Sequence, residues 1–364
     1  MDFVGSRALA LLLTLFILAG CVARPTATVL QPLQAPVRPT QEISILAVTN
    51  RLQAGDGGFT AIRSNEPTYE RYTISVPPKR QAAGVNFVGR RPDLSSEYVV
   101  VSRERLSRST FLQAVQQGLT PGGASGIYVH GYNQTFQEAL FRLAQVTADA
   151  GVKEPTILFS WPSEASLLGY MADRDASIAS RGDLVELIDL LAAQPRIKQI
   201  NIAAHSMGAF LVMEAARQLK LSNKSIPLRK LGIILAAPDI DTDVFSSQME
   251  IIGRPEKPML ILVSKNDRAL AASSALGSER PRVGMLDGND PFLRNLIDLY
   301  GLSIVDISSV QAPDAFGHEG FATLAALASN VTTLEANRNT ALTQAGLFVV
   351  DATKSSLTAV RFQQ

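Results

Sequence analysis

The sequence predicts an α/β fold with a mostly parallel sheet, and three observations carry that expectation. The first is the stretch 198–219, where the apolar run Ile200-Asn201-Ile202-Ala203-Ala204-His205 stops at Ser206 and resumes with Glu214, Arg217 and Gln218 on a polar side. Strand, sharp turn and helix follow without a spacer, which puts Ser206 at the carboxyl edge of a sheet, where open α/β folds keep their ligand sites. The second is a series of further strand-like runs, at 126–129, 156–160, 231–237, 258–264 and 302–309, separated by longer segments. Strands separated by helices imply parallel β-α-β units. The third is composition: 364 residues, 46% apolar and 18% charged, suffice for one large domain with a substantial core.

In chain order, 43–48 reads as a short strand followed by Thr49-Asn50-Arg51. A polar, Gly-containing loop then leads to an alternating strand at 72–76, stopped by Pro77-Pro78. A third short strand is expected at 98–101 and a helix at 109–117, ending near Gly118. The run 126–129 leads into His130-Gly131-Tyr132-Asn133, then a helix over 136–150 with Phe136, Ala139, Leu140, Leu143 and Val146 at helical spacing. The strand 156–160 ends at Trp161-Pro162-Ser163, and a helix over 183–191 starts as early as Asp173. After the serine turn, 231–237 is followed by Pro238-Asp239-Ile240-Asp241, where 239–243 also reads as the cap of a helix through Gln248. Lys265-Asn266-Asp267 follows 258–264, and Pro313 to Gly320 follows 302–309, taken as the last strand. The segment 346–360 fits a helix or a strand.

The N-terminal residues stand apart. Arg7 precedes an apolar run over 8–19, too short to cross a bilayer comfortably and suited to a signal-peptide core. It ends in Leu18-Ala19-Gly20-Cys21, which resembles the bacterial lipobox, where the signal is cut before a cysteine that is then lipidated. Cys21 is the sole cysteine, so no disulfide can form within one molecule. The resemblance implies a bacterial envelope protein held to a membrane through Cys21, periplasm-facing in a diderm cell. Pro25, Pro32, Pro36 and Pro39 then read as an extended tether, which at about 3.1 Å per residue reaches on the order of 60 Å. The expected division is signal 1–20, lipidated cysteine and tether 21–42, domain 43–330 and extension 331–364. A net charge of +1, with no basic stripe, argues against a nucleic-acid partner. Nothing in the sequence specifies an oligomeric state.

Ala204 and Gly208 flank Ser206 two positions away on each side, and a turn that tight leaves no room for bulky side chains. This pattern resembles the nucleophile elbow of the α/β-hydrolase fold, with alanine in the place of the first glycine. Together with His-Gly-Tyr-Asn, Ser-Trp-Pro-Ser and Gly-His-Glu-Gly, it resembles more narrowly a group of bacterial α/β-hydrolases of poorly defined substrate, over roughly 43–330. The resemblance implies an eight-stranded type of sheet with helices on both faces. It also implies Ser206 as nucleophile and the backbone N–H groups of Tyr132 and Met207 as an oxyanion hole.

Three histidines are present. His130 precedes the nucleophile, and His205 adjoins it on an elbow where neighbouring side chains diverge. His318, after the last expected strand, is therefore assigned as base. Asp267 is favoured as the acid, with Asp239 and Asp241 as alternatives. Asn133, Trp161 and Tyr170 are candidates for the pocket, Trp161 equally for a core anchor, and Asp173 and Arg181 for the same rim. No cofactor or metal is implied. The expected substrate is a small acyl ester. Acyl transfer and thioester hydrolysis use the same site, and a non-catalytic envelope scaffold on this fold is the alternative of another class. The short connection 238–257 leaves room for about one helix, while 268–300 is longer. The expectation is thus an esterase for soluble or modest-sized substrates, without strong activation at lipid interfaces.

Overall fold

The computed structural model describes residues 24–33, 41–80, 83–85, 93–257, 259–276, 280–332 and 348–350. Among these, ten strands form one sheet. They are β1 (Glu42–Gln53), β2 (Phe59–Ser75), β3 (Val99–Leu106), β4 (Ala124–Val129), β5 (Thr156–Ser160), β6 (Gln199–His205), β7 (Leu231–Ala236), β8 (Leu260–Val263), β9 (Ser303–Asp306) and β10 (Phe348–Val350). Their order is β10-β9-β8-β7-β6-β4-β5-β1-β2-β3. The seven strands from β9 to β1 run parallel; β2, β3 and β10 pair antiparallel at the edges.

The helices are α1 (Arg108–Gln117), α2 (Phe136–Asp149), α3 (Tyr170–Ala179), α4 (Arg181–Ala192) and α5 (Met207–Leu221). They continue as α6 (Ser225–Lys230), α7 (Thr242–Ile252), α8 (Arg268–Leu276), α9 (Pro291–Tyr300) and α10 (Gly320–Thr332).

Alternate residues of the central strands supply opposite faces, as the two-residue period of a strand requires. Leu46 and Val48 of β1, Ile127 and Val129 of β4, and Ile157 and Phe159 of β5 enter one core with α4, α5 and α7. Ile45, Ala47, Tyr128 and Leu158 enter the other, beneath α2. At the far end, Ala236, Leu262 and Val305 pack with Phe321 and Leu324 of α10. Both faces are thus covered, which is why β5 reads as a continuous apolar run.

Several expectations are corrected. The mostly parallel sheet with helices on both faces is as expected; among the described residues it has ten strands, and 302–309 is not the last of them. Most of the loop expected before Tyr72 is strand: β2 begins at Phe59 and pairs with the outer half of β1. The helix expected over 183–191 is α4, while the start near Asp173 belongs to a separate helix, α3, parted from it near Ser180. The expected tether is in part folded. Residues Ala27–Leu30 form a 3-10 turn whose Val29 and Leu30 are buried in the core beneath α2, because their side chains are apolar and fit beside Ile45, Tyr72 and Phe136. The segment expected over 346–360 is a strand at Phe348–Val350; its remainder, like Cys21 and the signal-like run, lies outside the described residues.

Candidate active site

The turn between β6 and α5 is strained. Ser206 has φ 54° and ψ −121°, a conformation that side-chain-bearing residues adopt only when the surroundings enforce it. Its amide donates to Ala236 O at 2.9 Å, and its carbonyl accepts from Ala209 N and Asp239 N at 3.0 and 3.2 Å. Gly208 explains the small-residue requirement. A Cβ there would lie 2.4 Å from His130 O and 2.6 Å from Val129 O. Gly131 answers it from the other side, where a Cβ would lie 2.9 Å from Ser206 Cβ. The elbow and the loop after β4 therefore touch backbone to backbone.

That loop is fastened by residues the sequence reading did not single out for this task. Arg51, at the end of β1 and 2% exposed, donates to Gln134 O (2.8 Å), Ser163 O (3.0 Å) and Ser160 Oγ (3.1 Å). Burial pulls its pKa down to about 9, and nearby carboxylates, Asp173 first among them, offset only part of that. Asp173, fully buried, accepts from Asn133 N at 3.0 Å, and from Ser163 Oγ and Glu164 N at 2.6 Å each. Asn133 itself takes φ 61°. No sequence signal marks these contacts, because the partners lie far apart in the chain.

His130 lies beneath the loop. Its ring stacks on Trp161 at 4.9 Å, and Trp161 Nε1 donates to His130 O at 2.9 Å. Burial, then the charge of Arg51, push His130 down to about 3, so it stays neutral. Trp161 is fully buried, which corrects its assignment to a pocket: the ring braces the loop from within. Arg181 pairs with Glu214 at 3.3 Å and Asp173 is buried, so neither forms a rim.

His318 sits on a loop shaped by Asp314, whose carboxylate accepts from the amides of Phe316, His318 and Glu319. Gly317 takes φ 74° there. The ring donates from Nδ1 to Asp267 Oδ2 at 2.6 Å, which leaves Nε2 as the nitrogen open to a proton. The other oxygen of Asp267 accepts from Leu270 N at 2.9 Å. Burial pulls His318 down, but the hydrogen bond and charge of Asp267, with Asp239 and Asp314, outweigh it and leave its pKa raised.

His205 adjoins Ser206 and points to His318: the two rings lie 4.5 Å apart, and His205 Nε2 donates to His318 O at 3.2 Å. Because a carbonyl only accepts, His205 carries its proton on Nε2. Burial, then the charge of His318, hold its pKa well below the usual value. The base and the elbow, far apart in sequence, thus meet across one ring contact.

The three candidate acids separate by their partners. Asp241 caps α7, accepting from Asp243 N and Val244 N. Asp239 is buried against Tyr170 Oη (3.0 Å), Ser273 Oγ (2.5 Å) and the Arg282 guanidinium (3.3 Å). Asp267 alone holds His318. Tyr170 also meets Tyr132 edge-on at 5.5 Å, and Tyr132 Oη donates to Leu167 O at 2.6 Å. Beside the loop, Asn133, Gln134, Glu138, Arg142, Glu319 and Val85 line a polar cavity of ≈ 250 Å³. Asn133 and Tyr170 therefore border the site, Tyr170 with its hydroxyl already bound.

A parallel sheet with a strained serine between a central strand and its helix makes this chain an α/β-hydrolase. It belongs to the family described as alpha/beta hydrolase of unknown function (DUF900), whose model matches residues 120–338. It is also similar to an uncharacterized protein, alr1448, of Nostoc sp., at 38% identity over 61 residues, 17% of this chain and 16% of that one. The match thus spans well under two thirds of that relative.

Proposed function

We propose that the protein is a serine hydrolase that cleaves carboxylic esters through an acyl-enzyme on Ser206, at an envelope membrane to which a lipid on Cys21 holds it. The observation that carries the reading is the 2.6 Å hydrogen bond from His318 Nδ1 to Asp267, in a ring that lies 4.5 Å from that of His205, the residue before a serine held at φ 54°. With Nδ1–H engaged by Asp267, Nε2 of His318 takes the proton of Ser206 Oγ as that oxygen attacks the ester carbonyl. The carbonyl oxygen gains negative charge. The N–H of Met207, the first residue of α5, has no intrahelical acceptor and serves that charge, together with the N–H of Tyr132. The imidazolium returns its proton to the alcohol as the ester C–O bond breaks. Water, deprotonated by the same ring, then attacks the acyl-enzyme, releasing the acid and restoring Ser206.

Labelling with a fluorophosphonate probe tests the reading. The native protein should be modified on Ser206, and Ser206→Ala should take no label. Equal labelling of both would refute it.

A further inference from the structure

We infer that the face carrying the candidate site docks on a lipid bilayer, held there by the anchor on Cys21. The inference rests on the proposed function for the lipid on Cys21, and on its ester-hydrolase reading only for what is cleaved at that face.

The N-terminal segment supplies the first observation. Arg24 donates to Asn133 Oδ1 at 2.6 Å, and to Asn133 O and Glu138 Oε2 at 3.2 Å each. Gln137 Nε2 donates to Pro25 O at 2.7 Å, and Val29 and Leu30 are buried. The segment is thus fastened to the domain from its first described residue, and Asn133 adjoins Tyr132 of the candidate oxyanion hole. Cys21 precedes Arg24 by three residues, so a lipid on it emerges within about 11 Å of Arg24, the reach of three extended residues. An anchor fixed so close leaves no length to hold this face away from the membrane.

Exposed apolar side chains supply the second. Leu167, Leu168 and Met171 are 75%, 97% and 65% exposed, on the stretch that Tyr132 Oη binds through Leu167 O. Phe316, 59% exposed, stands on the loop of His318. Large apolar residues therefore flank the site on both its oxyanion side and its base side. A bilayer buries such side chains at its interface, and binding strengthens with the apolar area buried and with a second signal such as a lipid chain. The two observations point to the same surface. The substrate then reaches Ser206 from the bilayer, against the expectation of soluble esters drawn from the short 238–257 connection.

The test uses the full chain, purified from membranes, with a single fluorophore on Leu168→Cys or on Leu221→Cys. Leu221 is 58% exposed at the other end of α5, about 22 Å from the elbow along the helix. In vesicles of phosphatidylethanolamine and phosphatidylglycerol, a nitroxide on the lipid acyl chains should quench the label at 168 about twofold or more and spare that at 221. Aqueous iodide should show the reverse. Equal quenching at the two positions, or no quenching at 168, overturns the docking. A second arm uses Leu168→Glu with Met171→Glu. Cleavage of a vesicle-borne ester should fall about tenfold while a soluble short-chain ester is turned over within about twofold of wild type. Equal loss on both, or no loss, overturns it as well. Quenching needs no turnover, so a failed esterase reading leaves the docking result standing on its own.

Discussion

Replacing Gly208 by alanine should pull apart the two halves of the candidate oxyanion hole. The new Cβ would stand 2.4 Å from His130 O and 2.6 Å from Val129 O, against an ordinary contact of 3.4 Å or more, so the shortfalls are 1.0 and 0.8 Å. Both obstacles are backbone atoms, and no rotamer change relieves them. α5 and the end of β4 must separate by roughly 1 Å or strain by an equivalent amount, and overpacking of this kind costs about 1–3 kcal/mol. At about 2–4 °C per kcal/mol for a domain of this size, the melting temperature should fall by roughly 2–12 °C. The catalytic effect is larger. Met207 N rides on α5 and Tyr132 N on the loop after β4, so the gap opens between the two donors. A misplacement of about 1 Å lowers turnover by about 10²-fold, roughly 3 kcal/mol of barrier. A chromogenic soluble ester reports kcat/KM, and calorimetry reports the melting temperature. Ala204→Gly is the control: Ala204 lies within β6, paired with Val129 and Leu235, and its change should leave kcat/KM within about tenfold. If Gly208→Ala kept both the wild-type rate and the wild-type melting temperature, the backbone contact between α5 and the end of β4 would not exist in solution.

Two further outcomes follow from the charges around His318. Asp267→Asn should lower kcat by about 10⁴-fold with little loss of fold, whereas Asp239→Asn should lower the melting temperature with a much smaller effect on kcat, since it strands the buried Arg282 at a cost of about 3–5 kcal/mol. Acid should act twice: kcat/KM should fall as pH drops through the raised pKa of His318, with a midpoint above 6.5, because only the neutral ring accepts the proton. Stability should fall too, since His130 is held neutral down to about pH 3 while its unfolded counterpart protonates near 6.5. At ~1.4 kcal/mol per unit this amounts to roughly 3.5 kcal/mol by pH 4, read from melting at pH 7 and pH 4, and to roughly 5 kcal/mol below pH 3. His318 has the opposite sign, contributing stability below pH 6.5 that is lost as pH rises through its own raised value.

Much of the central fold was legible because local signals agreed with burial. The run 156–160 matches β5 residue for residue, since a strand covered on both faces is apolar throughout. The start of α2 at Phe136 is backed by a capping box between Thr135 and Glu138. The first half was less legible. The outer ends of β1 and β2 project beyond the core, as exposed Leu52, Gln53 and Arg63 show, so no apolar alternation marks them as strand. The tether reading failed for a related reason: prolines announce an extended chain but not whether Val29 and Leu30 find a groove. Arg51 and Asp173, which fix the loop after β4, were invisible in their roles because each reaches that loop across 40 or more residues of sequence.

The acid assignment shows how three like side chains on neighbouring loops come to do different work. All three candidates follow strands at the same edge, so position in the sequence leaves them equal. What separates them is which positive charge each one meets. The carboxylate of Asp239 is neutralised by Arg282 and satisfied by two hydroxyls, so a proton arriving on His318 changes little for it. Asp241 is spent on the amides at the start of α7. Among the described residues, Asp267 has no cation within ion-pair distance except His318 itself. Its charge is therefore balanced only when that ring is protonated, the state that forms as Ser206 attacks. A carboxylate left one cation short in the resting protein and completed during the reaction stabilises the second state more than the first, and only such a difference lowers a barrier.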